Sequence, residues 1–191
     1  MRLLLDVDGV IIRNKPLLGH VKNNIMRYVD YKVKTNNPAH LSENLFKKYG
    51  HTAKGLEKEF GIDTCDFNDF VYDIHTIDHL HEFLKSDEFK RDAEIIKSFG
   101  TNVSLFSNSP LSWSIPVRNA IRPCMHTTVY TKPDIKNYSM WKEIEAIIVD
   151  DNLDNLLPAL HFKNLTPIHF SETVESEAIK TIRSFEELTF A

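Results

Sequence analysis

Met1-Arg2-Leu3-Leu4-Leu5-Asp6-Val7-Asp8-Gly9-Val10 opens the chain. A short apolar run leads straight into two carboxylates and a glycine, the pattern of a buried strand that ends in a sharp turn. In open α/β sheets the carboxyl ends of strands are where ligands are held. Alternation along an extended backbone predicts Asp6 and Asp8 on one side of the chain, aimed at a single spot. Two like charges held so close call for a cation or a shared proton.

Similar strand-ends recur further along. Val103-Ser-Leu-Phe106 reads as a second strand, running into Ser107, Asn108 and Ser109. Ala146-Ile-Ile-Val149 reads as a third, running into Asp150, Asp151 and Asn152. Between them, Thr131-Lys132-Pro133-Asp134 places a lysine at a turn. These strand-ends and the turn supply the parts that transfer of a phosphoryl group needs: acids, a hydroxyl, an amine and a second acidic pair. Acids at strand ends also serve as turn residues and helix caps, and Asp151 could simply cap the helix that follows it. Ser109 and Asn152 read as loop and cap residues.

Taken in order, Asp6-x-Asp8-Gly9, Ser107-Asn108, Lys132 and Asp150-Asp151 resemble the four motifs of the haloacid dehalogenase superfamily, in its phosphatase branch. The resemblance implies an α/β Rossmannoid core with Asp6 as nucleophile and Asp8 as general acid and then base. It implies phosphoryl oxygens held by Ser107 and the Asn108 backbone amide, with Lys132 offsetting their charge. It further implies a Mg²⁺ ion bound by Asp6, Asp150 and the backbone carbonyl of Asp8, with Asp151 acting through water or holding the loop. The pattern departs from the superfamily at Ile11-Ile12-Arg13, where a hydroxyl residue is usual. Arg13 is expected either to reach substrate or to face solvent. The usual glycines before Lys132 and after Asp151 are also missing, His161-Phe162-Lys163 standing in the second place.

About ninety residues separate the first two strands, far more than one crossover helix needs. Apolar spacings of three and four predict helices over 20–34, 42–49, 51–60 and 66–72, with Ser42 near one start and Gly61 as a stop. This stretch corresponds in position to the helical cap of the superfamily, which implies a core of residues 1–14 and 92–191 with a cap at 15–91. Such caps close over the site and choose the substrate. Tyr49 to Asp63 and Phe70 to His75 resemble, more weakly, the cap of pyrimidine 5′-nucleotidase-like members. The favoured substrate is therefore a nucleoside 5′-monophosphate, within the broader class of small phosphorylated metabolites. A phosphosugar mutase and an inactive binding protein are the competing readings. A dehalogenase would leave Asp8 with no alkoxide to protonate.

After the insertion, helices are predicted at 88–98, 112–121, 136–144, 155–160 and 173–188, with a weak strand at 126–130 and a last strand at 166–170. Strands alternating with helices predict a doubly wound, mainly parallel sheet. His75, Asp78, His79 and His81 suggest a metal site, but solvated or packing histidines are the simpler reading. Cys65 is expected to be a small buried hydrophobe, and Cys65 and Cys124 form no CxxC pair. A net charge of −4 gives no general reason to expect nucleic acid. The acids interrupting the first apolar run rule it out as a signal-peptide core. Soluble, cytoplasmic residence is the expectation, with no membrane partner; oligomeric state has no signature.

Overall fold

The computed structural model describes residues 1–100, 102–122, 132–188 and the main chain of 126–128. Cys124, Thr131 and the 129–130 end of the predicted weak strand lie outside the described residues. The chain divides into two compact units, one of Met1–Arg13 with Leu84–Ala191 and the other of Asn14–Phe83.

In chain order, β1 (Arg2–Leu5) is followed by the inserted helices α1 (Lys15–Val33), α2 (Pro38–Tyr49), α3 (Thr52–Phe60), α4 (Thr64–Val71) and α5 (Ile74–Phe83). The first unit resumes with α6 (Asp87–Ser98), β2 (Val103–Phe106), α7 (Leu111–Ile121) and β3 (His126–Thr128). It ends with α8 (Ile135–Tyr138), β4 (Ala146–Asp150), α9 (Leu153–Leu156), β5 (Leu165–Phe170) and β6 (Thr181–Ile182).

Among the described residues six strands lie in the order β3-β2-β1-β4-β5-β6, every neighbouring pair parallel. A parallel sheet is covered on both faces, and Leu3, Leu4 and Leu5 are accordingly all buried on the central strand. On one face Leu4, Phe106 and Ile148 pack with Tyr138, Trp141, Leu156 and Ala159. The chain leaves β1 toward β2 and β3, then crosses back to place β4 on the other flank of β1. That reversal makes the carboxyl ends of β1 and β4 a topological switch point, where such sheets open a ligand crevice.

The inserted unit is helical throughout. Asn14 caps α1 by accepting from the Leu17 amide at 2.9 Å, and Gly61 closes α3 at a φ of 66°. Tyr28 ties α1 to α4, its hydroxyl donating to Asp66 Oδ2 at 2.8 Å and its ring meeting Phe67 edge-on.

Several sequence expectations need correction. The 42–49 helix begins at Pro38, capped by Asn37 rather than Ser42, because proline fits the first helical turn, where an amide would be unpaired anyway. Residues 74–83 form a helix where no element is assigned from the sequence. The amphipathic helix expected at 173–188 is absent; the segment turns through Ser171 and Ser176 side-chain contacts into β6 and a 3₁₀ turn at Phe185–Glu187. Hydroxyl groups bonding to nearby amides compete there with helical pairing. The helices expected at 136–144 and 155–160 are one-turn pieces followed by 3₁₀ turns. Cys65 is exposed at the start of α4, not buried. No helix among the described residues is long and apolar enough to cross a membrane.

Candidate active site

β1 lies between β2 and β4, with Leu5 level with Leu105 on one side and Val149 on the other. Asp6 therefore follows β1 level with Asp150, the last residue of β4, and Ser107 follows the end of β2 one residue further along. The chain then turns sharply: the amides of Ile11 and Ile12 both donate to the Val7 carbonyl, at 3.0 and 2.8 Å, and Gly9 sits at a φ of 79°. A Cβ on Gly9 would collide with the Asp151 carboxylate, so glycine is required by conformation and by space together.

Lys132 is the centre of the charge arrangement. Its ammonium is wholly buried, 3.1 Å from Asp6 Oδ2 and paired with Asp150 Oδ2. Burial alone would lower its pKa, but the Asp150 and Asp6 carboxylates outweigh this and raise it. Asn108 fixes the lysine's main chain: Asn108 Nδ2 donates to the Lys132 carbonyl and the Lys132 amide to Asn108 Oδ1, both at 2.8 Å. The Asn108 side chain thus positions the Lys132 loop, a role distinct from the backbone-amide contact inferred for this residue.

Asp6 Oδ1 accepts from the Val7 amide at 2.7 Å. Asp150 is completely buried; besides Lys132 it accepts from the Asn152 amide at 2.9 Å and from Asn155 Nδ2 at 3.1 Å. Burial raises its carboxyl to about 6 against the opposing pull of Lys132. Asp151 is open to solvent on its outer side. Protein crowding around it, and then the Asp6 and Asp150 charges, push its carboxyl up to about 8. It is no helix cap: Asn152 fills that position, accepting from the Asp154 amide at 3.0 Å. Asp6, Asp150 and Asp151 offer oxygens all within 4.8 Å of one another.

Asp8 stands apart from that trio. β1 stops at Leu5, so strand alternation does not set the direction of Asp8, whose carboxyl is still near enough to Asp6 for the Asp6 charge to raise its pKa. The Asp8 carboxylate turns instead toward the segment after β2, where Ser109 Oγ donates to Oδ2 at 2.5 Å and Trp113 Nε1 to Oδ1 at 2.8 Å. Desolvation, only partly offset by the Ser109 bond, raises its pKa to about 6. The expectation that Asp8 contributes to a metal site is thus limited to its backbone carbonyl; its side chain lies outside the acidic trio. Ser107 is buried, its Oγ accepting from the Ser109 amide at 3.2 Å.

Arg13 neither projects into solvent nor stands free for a substrate. It is ion-paired with Asp92 on α6 and lies over the Phe170 and Phe185 rings, at 5.1 and 5.9 Å. His75, Asp78, His79 and His81 are exposed on α5, and among the described residues they form no metal-ligating cluster.

Four contributors escaped the sequence reading. Ser109 was set aside as a loop residue, although two positions after Ser107 it keeps the same strand-end polarity. Trp113 falls in the first turn of α7 and Asn155 in α9, each one short loop beyond a strand-end motif. His169 pairs with Asp150 across β4 and β5, and its Nε2 lies 3.2 Å from the Asp151 carbonyl while Nδ1 meets Thr181 Oγ1. No spacing rule joins such residues across strands.

These shifts predict a pH effect on the protein without divalent cations. An acid whose folded pKa is raised stabilises the fold below its unfolded pKa, and that contribution is lost as pH rises through the folded value. Asp151, raised to about 8, is the acid still titrating above neutrality. His51, lowered to about 4 by burial, is uncharged in both states there and does not oppose the trend. Thermal melts in chelator are expected to show a falling melting temperature from pH 7 to pH 9. A flat or rising profile would contradict the assignment.

No protein-family model matches the chain, and neither does any curated protein sequence. Solved structures do match. CbbY from Rhodobacter sphaeroides, in complex with phosphate, aligns at a TM-score of 0.63 and 14% identity, covering 98% of this chain and 95% of that one. A HAD phosphatase from Thermococcus onnurineus aligns at 0.61 and 14% identity, with the same coverage. A dehalogenase aligns at 0.56 and 16% identity, covering 98% and 94%. At such identities the likeness establishes the fold.

Proposed function

We propose, for a chain with the haloacid dehalogenase fold, that it is a Mg²⁺-dependent phosphatase hydrolysing a small phosphomonoester through an aspartyl-phosphate on Asp6. The observation that carries this reading is the convergence of Asp6, Asp150 and Asp151, the first two paired with Lys132, with the Asp8 carboxylate held by its own donors beside them. A binding scaffold has no need of several desolvated carboxylates at one point.

Asp6 attacks phosphorus and takes the phosphoryl group, splitting one hard displacement into two. Asp8 gives its proton to the departing alcohol, then accepts one from the water that releases phosphate. Lys132 balances the charge on Asp6 and on the transferred group. Ser107 and the Asn108 amide hold phosphoryl oxygens, and Asn108 also keeps the lysine loop in register.

The acidic trio suits a hard cation. Three carboxylates lie close together with one buried ammonium paired to two of them, and Gly9 leaves the space that Asp151 occupies. Asp6, Asp150 and Asp151, directly or through water, would hold Mg²⁺, with the Asp8 carbonyl as a further ligand. Bound there, Mg²⁺ would supply charge neutralisation for the phosphoryl oxygens. Because the trio must be ionised to bind, added Mg²⁺ should raise the melting temperature more at pH 8.5 than at pH 6.

The inserted unit of Asn14–Phe83 is assigned the role of a substrate-selecting cap. Its partial resemblance to nucleotidase caps favours a nucleoside 5′-monophosphate. A phosphosugar is the second choice, since one structural neighbour is a CbbY mutant in complex with xylulose-1,5-bisphosphate. The test is phosphate release from a panel of both classes, with Mg²⁺ and with chelator. Mg²⁺-dependent release, greatest for nucleotides, is expected. No release from any member contradicts the phosphatase, and isomerised product without free phosphate points to a mutase.

A further inference from the structure

Resting on the phosphatase reading above, we propose that Trp113 and Ser109 are positioning residues for Asp8: a two-donor clamp that fixes which carboxyl oxygen carries the transferred proton. Both come from the segment that follows β2, and both are buried. Trp113 is fully enclosed in the first turn of α7, its indole N–H 2.8 Å from Asp8 Oδ1. Ser109 Oγ lies 2.5 Å from Oδ2.

The two partners differ chemically. An indole N–H can only donate, so Oδ1 is held as an acceptor in every step. A hydroxyl can donate or accept, so Oδ2 is the oxygen free to carry a proton. Ser107 Oγ donates to Ser109 Oγ at 3.3 Å, and when Oδ2 carries the proton both hydroxyls turn, Ser109 then donating back to Ser107. Ser109 is itself fixed by its amide's bond to Ser107 Oγ at 3.2 Å and by Ser114 Oγ on its carbonyl at 3.3 Å. The clamp therefore has a fixed main-chain backing and a pair of rotatable hydroxyls.

In the first half-reaction the Asp6 oxygen–phosphorus bond forms, the bond to the alcohol oxygen breaks, and the Oδ2 proton moves to that oxygen. In the second, water oxygen bonds to phosphorus, its proton moves to Oδ2, and the Asp6 oxygen–phosphorus bond breaks. A loosened clamp misplaces the proton, so the alcohol must leave as an alkoxide. The penalty is large for an alkyl leaving group and small for a dinitrophenolate, which departs unaided.

The test is the ratio of kcat/KM for an alkyl phosphate to that for 2,4-dinitrophenyl phosphate, which reports the step that expels the alcohol. In Trp113→Phe and Ser109→Ala this ratio should fall by about tenfold or more, within the range of general acid catalysis. Ser109→Thr, which keeps the hydroxyl, should restore most of it. In an Asp8→Ala background, adding Trp113→Phe should leave the ratio unchanged, since no acid remains to be positioned. Should Trp113→Phe not fold, the Ser109 pair decides by the same ratio. Parallel loss on both esters, an unchanged ratio, or the same fall without Asp8 would overturn the clamp. Failure of the unaltered protein to cleave either ester would instead overturn the phosphatase reading, and the clamp with it.

Discussion

Asp6→Asn should lower phosphate release by at least about a thousandfold while leaving the fold intact, because an amide cannot form the acyl phosphate. The substitution preserves size, and an asparagine Oδ1 still accepts from the Val7 amide as the aspartate does. Lys132 keeps its pairing with Asp150. Removing one of the three crowded acids also relieves like-charge repulsion. The metal-free variant should accordingly melt no lower than the parent, so lost activity cannot be put down to lost structure. Steady-state assays beside thermal melts in chelator check both halves. Turnover within tenfold of the parent would place the nucleophile elsewhere.

Lys132→Met should be the most destabilising single change at the site, by about 3–5 kcal/mol at pH 8, the cost of stripping the partner from a buried ion pair. Methionine replaces much of the aliphatic stem, which isolates the charge as the cause. The ammonium has no solvent exposure and stands against both Asp6 and Asp150. Without it the Asp150 carboxyl, already raised by burial to about 6, rises further. The variant's folded state then holds its proton to higher pH, so the deficit is smallest below pH 6 and grows as pH rises. Denaturant titrations at pH 5.5 and pH 8 measure that difference. A deficit below about 1 kcal/mol at both pH values, the scale of an exposed pair, would contradict the buried arrangement.

How much of this was legible in the chain depends on whether the signal was local. β1, β2 and β4 are short apolar runs ending in polar residues, and each reads directly, as do Asp6, Ser107 and Asp150 at their tips. Once a parallel sheet is inferred, adjacency of those tips follows from topology alone. The Asp8 direction was not legible, because it depends on where β1 stops and on a tryptophan more than a hundred residues away. Arg13 was equally opaque: its partners on α6 and β5 are distant in sequence, and either solvent or substrate seemed open to it. The 173–188 segment misled because its apolar spacing mimics a helix, while serine side chains bond to nearby amides and turn the chain instead. Residues 74–83 failed the other way, since four polar and charged side chains among His75, Asp78, His79 and His81 masked a helix whose buried side is Thr76, Leu80 and Phe83.

The central claim is that a phosphoryl group passes through Asp6, and peptide mapping of the stalled protein tests it most directly. In Asp8→Asn, incubated with Mg²⁺ and an activated phosphate ester and then acid-quenched, the base for the second half-reaction is missing and the intermediate should accumulate. One phosphoryl group on the peptide bearing Asp6, absent when Asp6 is also changed to Asn, is the predicted result. Ester cleavage with that peptide unmodified throughout, or with the phosphoryl group on a different residue, would contradict it.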